Sequence, residues 1–143
     1  MTIPNATIAV EDLHEGMTAS LERTVSREDV VQFAEMTGDS NPLHFDADFA
    51  ATTVFGAPIA HGILSAGYIS AVIGTRLPGP GTIYLSQQLK FKAPVRVGDT
   101  VCARVTVAAV DRARRRVRLE TVCLVGGEVV LEGEALVLVP ERA

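Results

Sequence analysis

Asp39 and His44 are the residues of this chain whose types and spacing best suit proton transfer. They lie five residues apart in the run DSNPLH, residues 39–44. Pro42 fixes its own φ and disfavours the helical region for Asn41, so the run is predicted to form a stiff turn rather than continuous helix. A carboxylate and an imidazole held at a set distance on such a turn can act as general acid and general base.

Capping residues and apolar periodicity predict the elements that position this turn. Ser26 is a good N-cap, apolar residues then recur at helical spacing, and Gly38 suits a helix end, so a helix is predicted over 27–37. This helix delivers Asp39 just past its C-terminus. A strand is predicted before it, over 18–25, and Asp46 can cap a short second helix over 47–52.

An uncharged apolar segment over 62–74 is the second informative element. It is predicted to be a helix, and because none of its faces is plainly suited to water, it belongs in a core. The sequence PGPG at 78–81 ends it. Four strands are predicted afterwards, with a compact hairpin at Gly126-Gly127, which gives an α+β domain; the strands cover 82–92, 100–110, 115–125 and 128–139.

The composition fits one packed domain. The chain has 143 residues, of which 48% are hydrophobic and 21% charged, and these values exclude a disordered chain. A net charge of −4 argues against nucleic acid as the main partner, since phosphate neutralisation needs a basic face. Apolar runs are too short to cross a membrane, and residues 1–10 lack the features of a signal peptide. A cytoplasmic protein is therefore expected.

The stretch from about Thr37 to Gly67 resembles the signature of the MaoC-like (R)-specific enoyl-CoA hydratases, a hot-dog fold family. Its parts follow in the expected order, and a weaker similarity continues to Asp99; they are DSNPLH at 39–44, FDADFA at 45–50 and FGAPIAHG at 55–62. The resemblance implies a single hot-dog domain over 1–143, with a curled antiparallel sheet wrapped around a long central helix. Because one small sheet hardly covers an uncharged helix, and members of the fold commonly pair sheets edge to edge, we expect at least a homodimer.

The same resemblance implies reversible hydration of a trans-2-enoyl-CoA to the (R)-3-hydroxyacyl-CoA. This lyase reaction needs no metal or redox cofactor, since coenzyme A is part of the substrate. In the family an Asp/His pair acts on one water, and here that pair is Asp39 and His44. Gly62 matches the family's oxyanion glycine, at a helix start where free N–H groups favour negative charge. Asn41 is expected to brace the turn or the water, and Ser70 matches a serine that several members have near the active site.

Four questions remain open from the sequence. The first concerns two side chains. His61 is better explained as a hydrogen-bonded structural histidine than as a proton-transfer group, and Ser70 is explained as readily by packing as by a place near the active site. A hot-dog thioesterase is an alternative activity, although it would leave His44 without an evident task. A subunit of a heteromeric hydratase is another. The phosphates of coenzyme A could contact Lys90 and Lys92 or an arginine cluster at a hairpin tip; the cluster is Arg112, Arg114, Arg115, Arg116 and Arg118.

Overall fold

The computed structural model describes residues 7–143, so most of the N-terminal stretch considered for a signal peptide lies outside the described residues. The described chain contains two short 3₁₀ helices, three α-helices and five strands. The 3₁₀ helices are Val10–Asp12 and Pro42–His44; the α-helices are α1 (Arg27–Thr37), α2 (Ala47–Ala51) and α3 (Gly62–Thr75); the strands are β1 (Thr18–Thr24), β2 (Ile83–Phe91), β3 (Thr100–Asp111), β4 (Arg116–Val125) and β5 (Glu128–Leu138).

The five strands form one antiparallel sheet in the order β1-β3-β4-β5-β2. Successive strands β3, β4 and β5 are neighbours, whereas β2 pairs with β5 at one edge and β1 with β3 at the other. The turn between β4 and β5 has positive φ at both Gly126 (57°) and Gly127 (82°). Two consecutive positive φ angles match the twist of a two-residue hairpin, and glycine adopts them without strain.

Helix α3 packs across one face of this sheet and contacts β1, β3, β4 and β5. Alternate strand residues point towards it, as the two-residue period of a strand requires. The interface leaves some side chains with no accessible surface: Ile69 and Val72 of α3, and Val105, Leu119 and Val137 of the sheet. Burial of each such side chain contributes roughly 1.5–3 kcal/mol, so the sheet and helix stabilise each other. This is the α+β arrangement predicted from the sequence.

The predicted helix boundaries are largely confirmed. Helix α1 covers the predicted residues, and it begins in a capping box in which Ser26 and Asp29 exchange side-chain to main-chain hydrogen bonds of 3.0 Å. Gly38 ends it in the left-handed region, with φ of 82°. Helix α3 continues to Thr75, one residue beyond the prediction. The 3₁₀ helix Val10–Asp12 was not predicted, because three residues carry no periodic signal.

The sheet covers only one side of α3. Ile63 is 54% exposed in the single chain, and Gly67 and Ser70 are exposed on the same side. Edge strand β2 also carries large apolar side chains at the surface, with Ile83 55% and Leu85 43% exposed. The described helices are too short or too polar to span a membrane.

Candidate active site

The DSNPLH turn is held in shape by hydrogen bonds between its own side-chain oxygens and main-chain N–H groups. The Asn41 side-chain oxygen accepts a hydrogen bond of 3.0 Å from the Leu43 N–H and so caps the 3₁₀ helix Pro42–His44. The Asn41 N–H in turn donates to Asp39 Oδ1 at 3.3 Å. Asn41 is therefore a brace of the turn, which is one of the two roles expected for it, and it ties the Asp39 carboxylate to the same local network.

The turn brings Asp39 and His44 together. A carboxylate oxygen of Asp39 and a ring nitrogen of His44 lie within 4.8 Å of each other. Two hydrogen bonds of ordinary length, about 2.8 Å each, span such a distance through one water. The Asp39 side chain is 50% exposed, and His44 is half-buried, so a small molecule can reach both groups.

The tautomer of His44 follows from its main-chain contact. Its Nδ1 lies 2.6 Å from the carbonyl oxygen of Ile59. Because a carbonyl only accepts, Nδ1 carries the hydrogen and donates, and the neutral ring keeps its lone pair on Nε2. The nitrogen that is free to take a proton is therefore Nε2.

Burial lowers the pKa of His44 below its ordinary value of 6.5. Desolvation is the largest cause, because it disfavours the charged imidazolium. The bond to the Ile59 carbonyl raises the pKa, His61 lowers it, and the nearby Asp39 charge raises it. The balance favours a neutral imidazole, which is the form that can accept a proton.

His61 is the third member of this cluster, and it is almost completely buried, with 3% of its surface exposed. Its Nε2 donates to the main-chain carbonyl of Asp39 at 3.0 Å. Its ring stacks on His44 with centroids 3.7 Å apart and on Phe33 of α1 at 4.7 Å. The expectation that His61 is hydrogen-bonded is confirmed: it donates to Asp39, and its ring packs against His44, the two residues predicted to form the catalytic dyad.

Asp39, His44 and His61 are also residue types that bind transition metals. Their geometry favours a hydrogen-bonded cluster instead. One nitrogen of each histidine already donates to a carbonyl oxygen, so each ring has one nitrogen left for an ion, and that of His61 is buried. A reaction without metal stays a prediction.

Gly62 begins α3 directly after His61, where the first N–H groups of a helix have no intrahelical acceptor. Phe91, at the end of β2, packs against it: a Cβ added at Gly62 would lie 2.5 Å from Phe91 Cε1. The absence of a side chain therefore lets an aromatic ring cover the start of the helix. Nothing in the local sequence pattern distinguished Phe91 from any other aromatic residue at a strand end.

A pocket of about 250 Å³ opens beside this helix start. Its walls are largely apolar, including Ile59, Phe91 and Leu131, and Ser65 of α3 contributes a buried hydroxyl-bearing side chain. Lys92 is a charged residue in the lining. The segment that ends at Gly62 thus borders the pocket on one side, while Ile59 contacts His44 on the other.

Ser70 lies further from this site. It is two turns along α3 from Gly62, or about 12 Å at the usual helical rise. It lies on the exposed side of the helix in the single chain. The structure therefore brings together Asp39 and His44, and gives no contact between Ser70 and the dyad.

The candidate phosphate contacts lie at different positions. Lys92 lines the pocket, whereas Lys90 lines a separate polar groove on the sheet. The arginine cluster lies around the β3–β4 turn, and its member Arg116 begins β4. Towards the other end of β4, Cys123 pairs with Leu131 of β5, which lines the pocket. Seven strand residues separate the two positions, a distance of about 23 Å. Three arginines of the cluster also pair with carboxylates: Arg114 with Asp111, Arg115 with Glu141 and Arg118 with Glu134.

Comparison with known proteins identifies the family of this chain. The model of the MaoC like domain matches residues 8–127. The chain belongs to the MaoC-like family. The MaoC-like chain is 58% identical over 132 residues to the (R)-specific enoyl-CoA hydratase of Rhodospirillum rubrum, covering 92% of each protein. It is 58% identical over 132 residues to the 3-hydroxybutyryl-CoA dehydratase of Methylorubrum extorquens, covering 92% of this chain and 84% of that protein.

A solved structure has the same fold as the MaoC-like chain. The R-hydratase PhaJ1 from Pseudomonas aeruginosa superposes with a TM-score of 0.88 at 42% identity, covering 95% of this chain and 88% of that one. The hot-dog fold class implied by the sequence is confirmed by this likeness.

The position of His44 in the MaoC-like chain predicts its titration. We expect its imidazole to titrate below 6.5, because loss of solvation outweighs the attraction of Asp39. Asp39→Asn should lower the midpoint further, since it removes the charge that favours the imidazolium. Nuclear magnetic resonance (NMR) titration of the His44 ring protons in the wild type and in the variant gives both midpoints. A wild-type midpoint at or above 6.5 would contradict the lowered pKa of His44.

Proposed function

We propose that this chain, acting as one hot-dog domain, catalyses the reversible hydration of a trans-2-enoyl-CoA to the (R)-3-hydroxyacyl-CoA. The observation that carries the proposal is the Asp39–His44 pair, whose polar atoms lie within 4.8 Å with His44 Nε2 free to accept a proton. The names of the relatives from R. rubrum and M. extorquens support the substrate class and the reaction.

In the proposed reaction one water lies between the two side chains. His44 Nε2 takes a proton from the water as the water oxygen bonds to the β-carbon of the enoyl thioester. The Asp39 carboxylate accepts a hydrogen bond from the second O–H of the water, which stays on the oxygen, and so orients that oxygen. The proton held by His44 then passes to the α-carbon on the same face, so the hydroxyl and the hydrogen of one water are both added. No metal or redox cofactor takes part.

The thioester oxygen gains negative charge while water adds. We propose that it accepts a hydrogen bond from the Gly62 N–H, where the positive end of the α3 dipole also favours negative charge. The acyl group would then lie near the pocket bordered by Ile59 and Phe91. Because Gly62 directly follows His61, the oxyanion donor and the dyad share one short main-chain segment.

The thioesterase alternative is less well supported. Hydrolysis needs water directed at the carbonyl carbon and gives His44 no α-carbon to protonate. A heteromeric hydratase subunit is also less well supported, because this chain carries both members of the dyad. Family membership and the names of its relatives favour the hydratase.

We further propose that the chain forms a homodimer through edge strand β2 and the open side of α3. Exposed Ile63, Ile83 and Leu85 are apolar, and an unpaired strand edge readily accepts a second strand. Analytical ultracentrifugation should give twice the chain mass of 15.2 kDa. A monomer at micromolar concentration would contradict this assembly.

Substitution of the dyad tests the proposed roles. We expect Asp39→Asn and His44→Ala each to lower kcat at least about 100-fold with the fold intact, because the first removes the charged acceptor that orients the water and the second removes the proton-transfer group. Initial rates with crotonyl-CoA, followed by absorbance of the conjugated bond, measure the loss, and His14→Ala is the control histidine variant. Near-normal turnover by either dyad variant would remove that residue from the mechanism.

The reaction itself is tested by two assays on one sample. We expect the enoyl absorbance of crotonyl-CoA to fall to an equilibrium value while free thiol stays at background, because water adds at the β-carbon and the thioester survives. Chiral analysis should give the (R)-3-hydroxy product. Stoichiometric thiol release without hydroxyacyl-CoA would establish the thioesterase instead.

The role of Gly62 can be separated from its packing against Phe91. Gly62→Ala should impair turnover, and Gly62→Val more so, because a Cβ collides with the Phe91 ring and crowds the approach to the N–H. The double variant Gly62→Ala/Phe91→Ala removes the collision but keeps the crowding. We expect kcat/KM of the double variant to remain below that of Phe91→Ala alone. Equal values would mean that the methyl group acts only by displacing Phe91.

The pocket position of Lys92 favours it over the arginine cluster as a phosphate contact. Its ammonium is 3.7 Å from Glu132 and its side chain is 41% exposed, so it can also meet an anion. We expect Lys92→Ala to raise KM for crotonyl-CoA more than it lowers kcat, and added salt to weaken binding by the wild type more than by the variant. Arg114→Ala is the matched control. A larger KM effect for Arg114→Ala would reverse the assignment.

A further inference from the structure

His61 is a buried titratable side chain that the proposed mechanism does not use. With 3% of its surface exposed, it cannot contact substrate directly. Its Nε2 is bonded, but its Nδ1 is buried and has no partner among residues 7–143. A buried ring nitrogen without a hydrogen-bond partner lowers the stability of the fold. The contacts that His61 makes through its other nitrogen and its ring face therefore need an explanation.

The first contact fixes Asp39. The other hydrogen bonds of Asp39 are local: its N–H donates to Thr37 Oγ1 at 3.2 Å, and its carboxylate accepts from the Asn41 N–H. Within the described part of the chain, the bond from His61 Nε2 to the Asp39 carbonyl is the one hydrogen bond that ties Asp39 to a distant element. His61 is the N-cap residue of α3, so this bond sets the dyad carboxylate relative to that helix.

The second contact fixes His44. The bond from His44 Nδ1 to Ile59 fixes one point of the imidazole, but a ring held at one point can still tilt about it. The His61 ring packs against the His44 ring, with centroids 3.7 Å apart and 31° between the planes, and so limits this tilting. Phe33 supports the His61 ring from α1 at 4.7 Å. The direction of the His44 Nε2 lone pair therefore depends on His61.

We propose that His61 is the positioning residue of the dyad, with its Nε2–H holding the Asp39 main chain and its ring face holding the plane of His44. This inference rests on the proposed function for its effect on turnover, but the positioning itself can be measured without substrate. Histidine combines both contacts in one side chain. Glutamine offers a donor without the ring face, and phenylalanine offers the face without the donor.

The kinetic test uses these two partial replacements. We expect His61→Gln and His61→Phe each to lower kcat for crotonyl-CoA by about 10- to 100-fold, the effect of a small misplacement of reacting groups, with KM little changed. In an Asp39→Asn background, His61→Phe should lower kcat by a much smaller factor, because the carboxylate that His61 positions is already absent. His14→Phe, at an exposed histidine, should leave the rate unchanged.

The spectroscopic test decides the inference even if crotonyl-CoA is not turned over. Long-range ¹H–¹⁵N spectra of the wild type should give His61 as the Nε2–H tautomer and His44 as the Nδ1–H tautomer. In His61→Gln, the His44 ring keeps its bond to the Ile59 carbonyl but can tilt about it, so its nitrogen and ring-proton signals should shift and broaden. An Nδ1–H tautomer for His61 would overturn the inference on the wild type alone. Folded variants with unchanged kcat and unchanged His44 signals would overturn it as well.

An inactive wild type with the expected tautomers would contradict the proposed function and leave the positioning role supported. An active wild type whose His61 variants match it in rate and in His44 signals would support the proposed function and contradict the positioning role. The two failures are therefore distinguishable on the same set of samples.

Discussion

The rest of the site depends on hydrogen bonds between the turn at residues 39–44 and the segment at residues 59–61. Three bonds link them: the Ile59 N–H to the Leu43 carbonyl at 3.4 Å, His44 Nδ1 to the Ile59 carbonyl, and His61 Nε2 to the Asp39 carbonyl. The same segment also joins the loop after β2, through the Ala60 N–H and the Val95 carbonyl at 2.7 Å. Since it runs directly into α3, one piece of main chain positions Asp39, His44, the proposed oxyanion donor Gly62 and one wall of the pocket.

This arrangement gives the two dyad residues different environments. Asp39 remains half exposed, whereas His44 is partly desolvated and its pKa is lowered, mainly by burial. A carboxylate beside a neutral imidazole is a pair that can orient water and accept its proton. In the proposed reaction the helix start beside them adds an N–H donor for the developing enolate oxygen. The proposal thus combines acid–base and electrostatic catalysis within a few residues of sequence.

The sequence predicted the fold and the nearness of Asp39 to His44 well because the relevant signals are local. Caps at Ser26 and Asp46 and the glycine at Gly38 set helix ends through contacts a few residues apart, and the structure confirms them. The contacts of His61 and Phe91 could not be predicted in the same way. They depend on where β2 and the His61 segment meet the dyad turn, which no local pattern encodes. Likewise, only the strand register separated the arginine cluster from the pocket that Lys92 lines.

The central claim is that Asp39 and His44 act on a single water, so that both of its parts reach one face of the double bond. Hydration of crotonyl-CoA in D₂O, followed by NMR of the product, measures this directly. The account predicts one deuterium at the α-carbon, syn to the new hydroxyl, in a single diastereomer with (R) configuration at the β-carbon. An anti product, or a mixture of α-carbon diastereomers, would contradict a one-water dyad and would require a proton donor on the opposite face.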